Sequence, residues 1–126
     1  MPAVLKIDPQ RRIVVTSYHS RVTGEDIVRQ QSVILADPHF EPNFADVADF
    51  SMVRFAEVSE SALRTLAGTR SIFEPGVPHV IIAADDQLYE LGLKFRELAE
   101  TSRPNLHVVR TLGEARRLLD TLGYHL

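Results

Sequence analysis

Apolar positions recur along this chain with a period of two in some stretches and of three to four in others, and each change of period marks an element boundary. Ala3–Ile7 (AVLKI) and Arg12–His19 (RIVVTSYH, rich in β-branched residues) read as two strands. Only an Asp8-Pro9 turn separates them, so they are expected to form an antiparallel hairpin. Thr23-Gly24-Glu25-Asp26 then opens a helix, with Thr23 as cap and two acidic residues at the positive end of the helix dipole. Ile27, Val28, Gln31, Ile34 and Leu35 share one face of that helix, and Asp37-Pro38 stops it. A loop with two prolines and two phenylalanines (37–44, DPHFEPNF) leads to a short strand over Asp46–Phe50, with Val47 and Ala48 as its inward candidates. Ser59 caps a second helix whose buried stripe is Ala62, Leu63, Leu66 and Ala67, with Gly68 as its stop. His79–Ala84 (HVIIAA) is apolar throughout from Val80, as a central parallel strand covered on both faces should be. Asp85-Asp86 caps a third helix running to about Glu100, with Leu88, Leu91, Gly92, Phe95, Leu98 and Ala99 inward. A last strand over Asn105–Arg110 precedes a Thr111-x-x-Glu114 capping box and a final helix that buries Ala115, Leu118, Leu119 and Leu122.

The order is β-β-α-β-α-β-α-β-α. Strands alternating with helices imply right-handed parallel crossovers, so the expectation is an α/β domain with a mostly parallel five-stranded sheet and an antiparallel N-terminal hairpin. No repeat or linker interrupts the pattern, which makes residues 1–126 one domain. A chain of this length can bury about two-thirds of its unfolded surface, enough for a core without cross-links.

Composition narrows the chemistry. The absence of cysteine excludes disulfides, a thiol nucleophile and thiolate-bound zinc. Fourteen Lys and Arg against seventeen Asp and Glu leave a net charge of −3, with no basic stripe to track a phosphate backbone, so nucleic acid is not an expected partner. No apolar run is long enough to span a membrane and no secretory h-region opens the chain, so a cytoplasmic location is expected. The glycines are scattered, with no phosphate-binding loop and no G-x-S-x-G, and no histidine pair has metal-ligand spacing. Neither a metal nor a cofactor is expected. One stretch stands apart in charge: within 37–60, Asp37, Glu41, Asp46, Asp49, Glu57 and Glu60 face Arg54 alone. It reads as a solvated acidic face or as a docking surface for a basic partner.

The element order, together with three local stretches, resembles the STAS-type (SpoIIAA-like) fold of anti-sigma-factor antagonists, and in particular a group of small bacterial STAS-like proteins. The stretches are the hairpin and helix start AVLKIDPQRRIVVTSYHSRVTGEDI, the loop and strand ADPHFEPNFADVADFSMV, and the strand and helix HVIIAADDQLYELGLKFRELAE. The resemblance implies a regulatory domain that binds another protein. In phospho-switched members it also implies a serine at the start of the helix after the third strand, in a D-S-S/T-G pattern. Here Asp49-Phe50-Ser51 matches the strand end, but Glu57-Val58-Ser59-Glu60-Ser61 places Val58 at the acceptor position, with no glycine following. Ser59 and Ser61 are the candidate phosphoacceptors, and Ser59 equally reads as a plain helix cap.

Other candidates sit where ligands favour open α/β sheets, at the carboxyl ends of the strands: Asp49 and Ser51, Asp85 and Asp86, with Arg110 and Thr111 nearby. Asp85 and Asp86 also suit simple capping. His39, in the Pro/Phe loop, is the one histidine singled out, whereas His79 and His107 read as structural. Tyr89 and Leu93 either flank the core or expose an apolar partner site, and Phe40, Phe44, Phe55 and Phe73 in loops raise the same question. Three functions follow. The first is a non-enzymatic regulatory or protein-interaction module, with homodimerisation compatible. The second is a small-molecule or lipid binder of CRAL-TRIO-like architecture, its pocket under Phe40 and Phe44. The third is an enzyme in which Asp49, Asp85 and His39 converge.

Overall fold

The structure, a computed structural model, describes residues 3–126. Its elements are β1 (Ala3–Asp8), β2 (Ile13–Thr23), α1 (Gly24–Ala36), β3 (Ala45–Glu57), α2 (Glu60–Gly68), β4 (His79–Ile82), α3 (Asp86–Leu98), β5 (Leu106–Val109) and α4 (Leu112–Thr121). The five strands form one mixed sheet in the order β1-β2-β3-β4-β5. β1 and β2 are antiparallel, and every later pairing is parallel. The α/β class, the element order and the N-terminal hairpin expected from the pattern are thus observed.

The sequential strand order decides where the helices go. Each parallel crossover steps to the next strand in the same direction and with the same hand, so α1, α2 and α3 line up on one face. α1 packs on α2, α2 on α3, and α3 on β5. α4 follows the last strand and covers the opposite face, where Ala115 and Leu119 close over Ile13, Ala45, Val47, Val80 and Ile82. The first half of β3 and all of β4 are therefore covered on both sides.

Local chemistry sets the boundaries. Thr23 accepts from the Asp26 backbone N–H at 3.1 Å while the Asp26 carboxylate accepts from the Thr23 N–H at 2.8 Å, a reciprocal capping box that starts α1 at once after β2. Ser59, Asp85 and Thr111 cap α2, α3 and α4 in the expected way. α3 approaches the sheet closely because Gly92 has no side chain: a methyl group there would lie 2.9 Å from Val108 Cγ1.

Three expectations need correction. β3 does not end at Phe50 but continues to Glu57, and β2 continues to Thr23. Polar residues in these stretches do not break the strands, because the extensions pair with each other above the main sheet. Shifts of register at Ser17/His19 and Ser20/Arg21, with Ser20 in the left-handed region (φ 62°), let β3 carry extra residues there. α1 is rotated from the expected stripe: Ile34 and Gln30 are buried, whereas Val28 and Leu35 are exposed. Phe55 lies in β3 rather than a loop, and Phe73 is buried in the core beside Phe44.

Two outcomes test this packing. Gly92→Ala is expected to destabilise the fold by about 1–3 kcal/mol, despite alanine's better helix propensity, because Val108 has to yield; denaturant unfolding measures it. The Asp26 carboxyl lies below its ordinary value of 3.8, chiefly because the Thr23 backbone N–H bonds its charged form. The unfolded chain therefore takes up this proton first, so the stabilisation is complete above the ordinary value and lost as pH falls through the lower, folded one. Asp26→Ala is expected to lower stability at neutral pH by about 1 kcal/mol and to remove that part of the acid dependence, read from midpoints across an acid series.

Candidate functional site

Side chains alternate along strands, so the face under α1–α3 receives Thr16 and Tyr18 from β2, Asp46, Ala48 and Phe50 from β3, and His79 and Ile81 from β4. Asp46 and His79 are register partners on adjacent strands. His79 Nδ1 lies 3.1 Å from Asp46 Oδ2, with the histidine side chain only 6% exposed. A carboxylate on Nδ1 selects the tautomer that donates there and leaves Nε2 as an acceptor. Phe73 meets the imidazole edge-to-face at 5.2 Å and holds the ring in place.

Above these residues, between the sheet and the three helices, lies a cavity of about 110 Å³. Its walls are mostly apolar, with Leu63 from α2 and Leu88, Leu91 and Phe95 from α3 among them. Thr16 lines it too, and the Thr16 hydroxyl is buried without a hydrogen-bond partner. Tyr18 stacks on Phe50 with centroids 4.7 Å apart. Burial first, then the charges of Asp46 and Asp26, drive the Tyr18 phenol well above its ordinary range, so it stays neutral. At the far end, Arg103 donates to the carbonyls of Leu66 (3.3 Å) and Thr69 (3.4 Å), closing the negative end of α2. Burial lowers its pKa, and the Asp46 charge opposes that shift.

The residues singled out from sequence lie elsewhere and remain separate. Asp49 accepts from the Ser51 backbone N–H at 2.9 Å and from the Ser51 hydroxyl. Asp85 accepts from Leu88 N–H. Asp86 pairs with Arg110 at 2.7 Å, and that guanidinium lies 3.9 Å from the centre of the Tyr89 ring. His39 contacts Asp37 at 3.3 Å. Each of these bonds joins near neighbours or the rims of two elements, and Asp49, Asp85 and His39 share no hydrogen bond. Ser59 spends its hydroxyl on the Ala62 N–H, and Ser61 is exposed. Tyr89 and Leu93 are half-buried, so they form no bare apolar patch. Phe40 and Phe44 meet edge-to-face within a packed cluster with Phe73, which corrects the expected pocket beneath them. The expected acidic face is dispersed as well: Asp46 points inward to His79, Glu57 pairs with Arg21, and Glu60 is held by Arg64 and Lys94. Among the described residues no cluster of His, Asp or Glu is arranged to hold a metal ion, and no helix is long and apolar enough to cross a membrane.

The largest exposed apolar side chains on the sheet are instead Met52 (70% exposed) and Phe55 (58%), both on the β3 extension. Of β3, only Asp46–Asp49 pairs with β4. From Phe50 to Glu57, β3 is bonded to β2 alone, and its other edge is open among the described residues. The missed residues leave a signal in the sequence, the polar members of alternating strands: Thr16 between Val14 and Tyr18, and Asp46 two places before Ala48.

No protein-family model matches the chain. Comparison with curated proteins likewise finds no match.

The orphaned hydroxyl makes a prediction. Thr16→Val keeps the shape and removes an unpaired polar group, so it is expected to leave stability unchanged or raise it by about 1–2 kcal/mol. Thermal and denaturant unfolding read the change directly.

Proposed function

We propose that the chain is a STAS-type, non-enzymatic protein-interaction module of regulatory kind, and that it works by adding a strand to the open edge of β3. The observation that supports this reading is the free edge of Phe50–Glu57 with Met52 and Phe55 exposed beside it. Exposed edges are normally blunted by lysine, proline or short length. This one has neither lysine nor proline and runs for eight residues, with Arg54 and Glu57 as its only charges. The extension's two register shifts are the one protective feature.

The edge also suits a second copy of the same chain. Antiparallel pairing of this edge about a two-fold axis would set the exposed Met52 and Phe55 of one copy close to those of the other. Backbone hydrogen bonds would supply the affinity, and the two apolar side chains the register. The sequential α/β sheet and the hairpin start are consistent with the STAS-type reading, and the separation of Asp49, Asp85 and His39 favours binding over catalysis.

The expected result is a concentration-dependent dimer in light scattering. Replacing Met52 and Phe55 together by lysine is expected to weaken it by roughly tenfold or more, with thermal stability of the monomer unchanged. A wild-type chain that stays monomeric into the high micromolar range, or a dimer indifferent to both substitutions, contradicts the strand-addition reading.

A further inference from the structure

We infer that the cavity between the sheet and α1–α3 is a binding site for a small zwitterionic α-amino acid with a branched aliphatic side chain. This goes beyond the interaction reading, since it concerns the interior rather than the edge. Two charged side chains of opposite sign line the cavity, Asp46 from β3 and Arg103 from the segment before β5, in a wall that includes Leu63, Leu66, Leu88 and Leu91. They form no ion pair with each other. Asp46 meets His79 through Oδ2, and Arg103 donates to Leu66, Thr69 and Ser102 through Nη1. Each therefore keeps a free end: Oδ1 of Asp46, and Nε and Nη2 of Arg103, have no hydrogen-bond partner among the described residues. Unlike the Thr16 hydroxyl, none of these atoms is fully enclosed, and the Asp46 side chain is 18% exposed.

The free ends select the guest's head group. Nε–H and an Nη2–H of a guanidinium lie side by side in one plane and match the two oxygens of a carboxylate. The Nη1 bonds and the Phe95 ring, 5.5 Å from the guanidinium carbon, hold that fork in place before a guest arrives. The Asp46 oxygen in turn accepts from an ammonium. Asp46 and Arg103 feel each other's charge without touching, which leaves room for a group between them. A carboxylate alone would gain Arg103 but be repelled by Asp46, and an ammonium alone would meet the reverse. A zwitterion satisfies both and adds no net charge to the interior. The apolar wall and the volume select the rest of the guest. The cavity measures about 110 Å³, less than the roughly 150 Å³ of an apolar void that admits benzene, so a branched aliphatic side chain suits it and an aromatic one exceeds it. Leu91, Arg103 and Leu106 line both the cavity and an open groove along α3, which sets Arg103 between interior and solvent.

Leucine, its deaminated analogue isocaproate and its decarboxylated analogue isoamylamine are the probes, titrated into the full chain and followed by calorimetry and amide chemical shifts. Leucine is expected to bind saturably, with the largest shifts at Leu63, Leu88 and Gly92, and roughly tenfold or more tightly than either singly charged analogue. Asp46→Asn keeps the side chain's shape and is expected to weaken leucine by roughly tenfold while leaving isocaproate unchanged or tighter. Arg103→Gln is expected to weaken leucine and isocaproate together and to spare isoamylamine. These reversals of preference are readouts that a mere loss of folding would not give, since an unfolded variant loses all three probes. Absence of saturable shifts with leucine overturns the inference, as does leucine binding no tighter than isocaproate, or the same preference in wild type and Asp46→Asn. Leucine shifts confined to the exposed face of α3 would overturn it equally.

Discussion

Three same-handed crossovers in a single direction govern most of this molecule. They place α1, α2 and α3 side by side on one face of the sheet and leave α4 to cover the other alone. The two faces then differ in kind. Under α4 the packing is apolar, with Ala115 and Leu119 pressed onto valine, isoleucine and alanine. Under the three helices the strands contribute threonine, tyrosine, aspartate and histidine, and the packing leaves a cavity. Gly92 sets how closely α3 comes down on that side, and Arg103 ties the end of α2 to the segment before β5.

The interior polar groups are costly unless they are satisfied. Asp46 and His79 meet this demand within the sheet itself, because register pairing puts them opposite each other on neighbouring strands and Phe73 holds the ring. Thr16 does not meet it. Within one face, the Asp46–His79 pair completes its bonding inside the sheet, whereas the Thr16 hydroxyl is enclosed without a partner. The other irregularity is outside. β2 and β3 outrun β4 by several residues, so the sheet carries a two-stranded extension with an open edge, and Tyr18 stacked on Phe50 joins that extension to the cavity below.

The fold was largely legible because its elements announce themselves by period and cap. Thr23, Ser59, Asp85 and Thr111 stand where their helices begin. The hairpin followed from Asp8-Pro9, and the apolar run after His79 marked a strand covered on both faces. The lengths of β2 and β3 were hidden, since bulged strands that pair outside the main sheet need no strict alternation, and His19-Ser20-Arg21 and Arg54 look like loop residues. The candidate site was hidden for a different reason. His79 begins a strand, away from the carboxyl ends that usually bind ligands, and its partner Asp46 is thirty-three residues earlier, so only the parallel register brings them together. The candidates Asp49, Asp85 and His39 bond near neighbours instead: Asp49 the Ser51 within β3, Asp85 the start of α3 and His39 the Asp37 of its loop.

The most direct test of the open edge is amide hydrogen exchange along β3, compared at low and high protein concentration. Strand addition predicts that amides within Met52–Glu57 exchange quickly in the dilute chain and that alternate ones become protected as concentration rises, with β4 and β5 unchanged. Protection of this stretch that is already complete in the dilute monomer, or that never changes while the chain associates through another surface, would contradict a partner-binding role for β3.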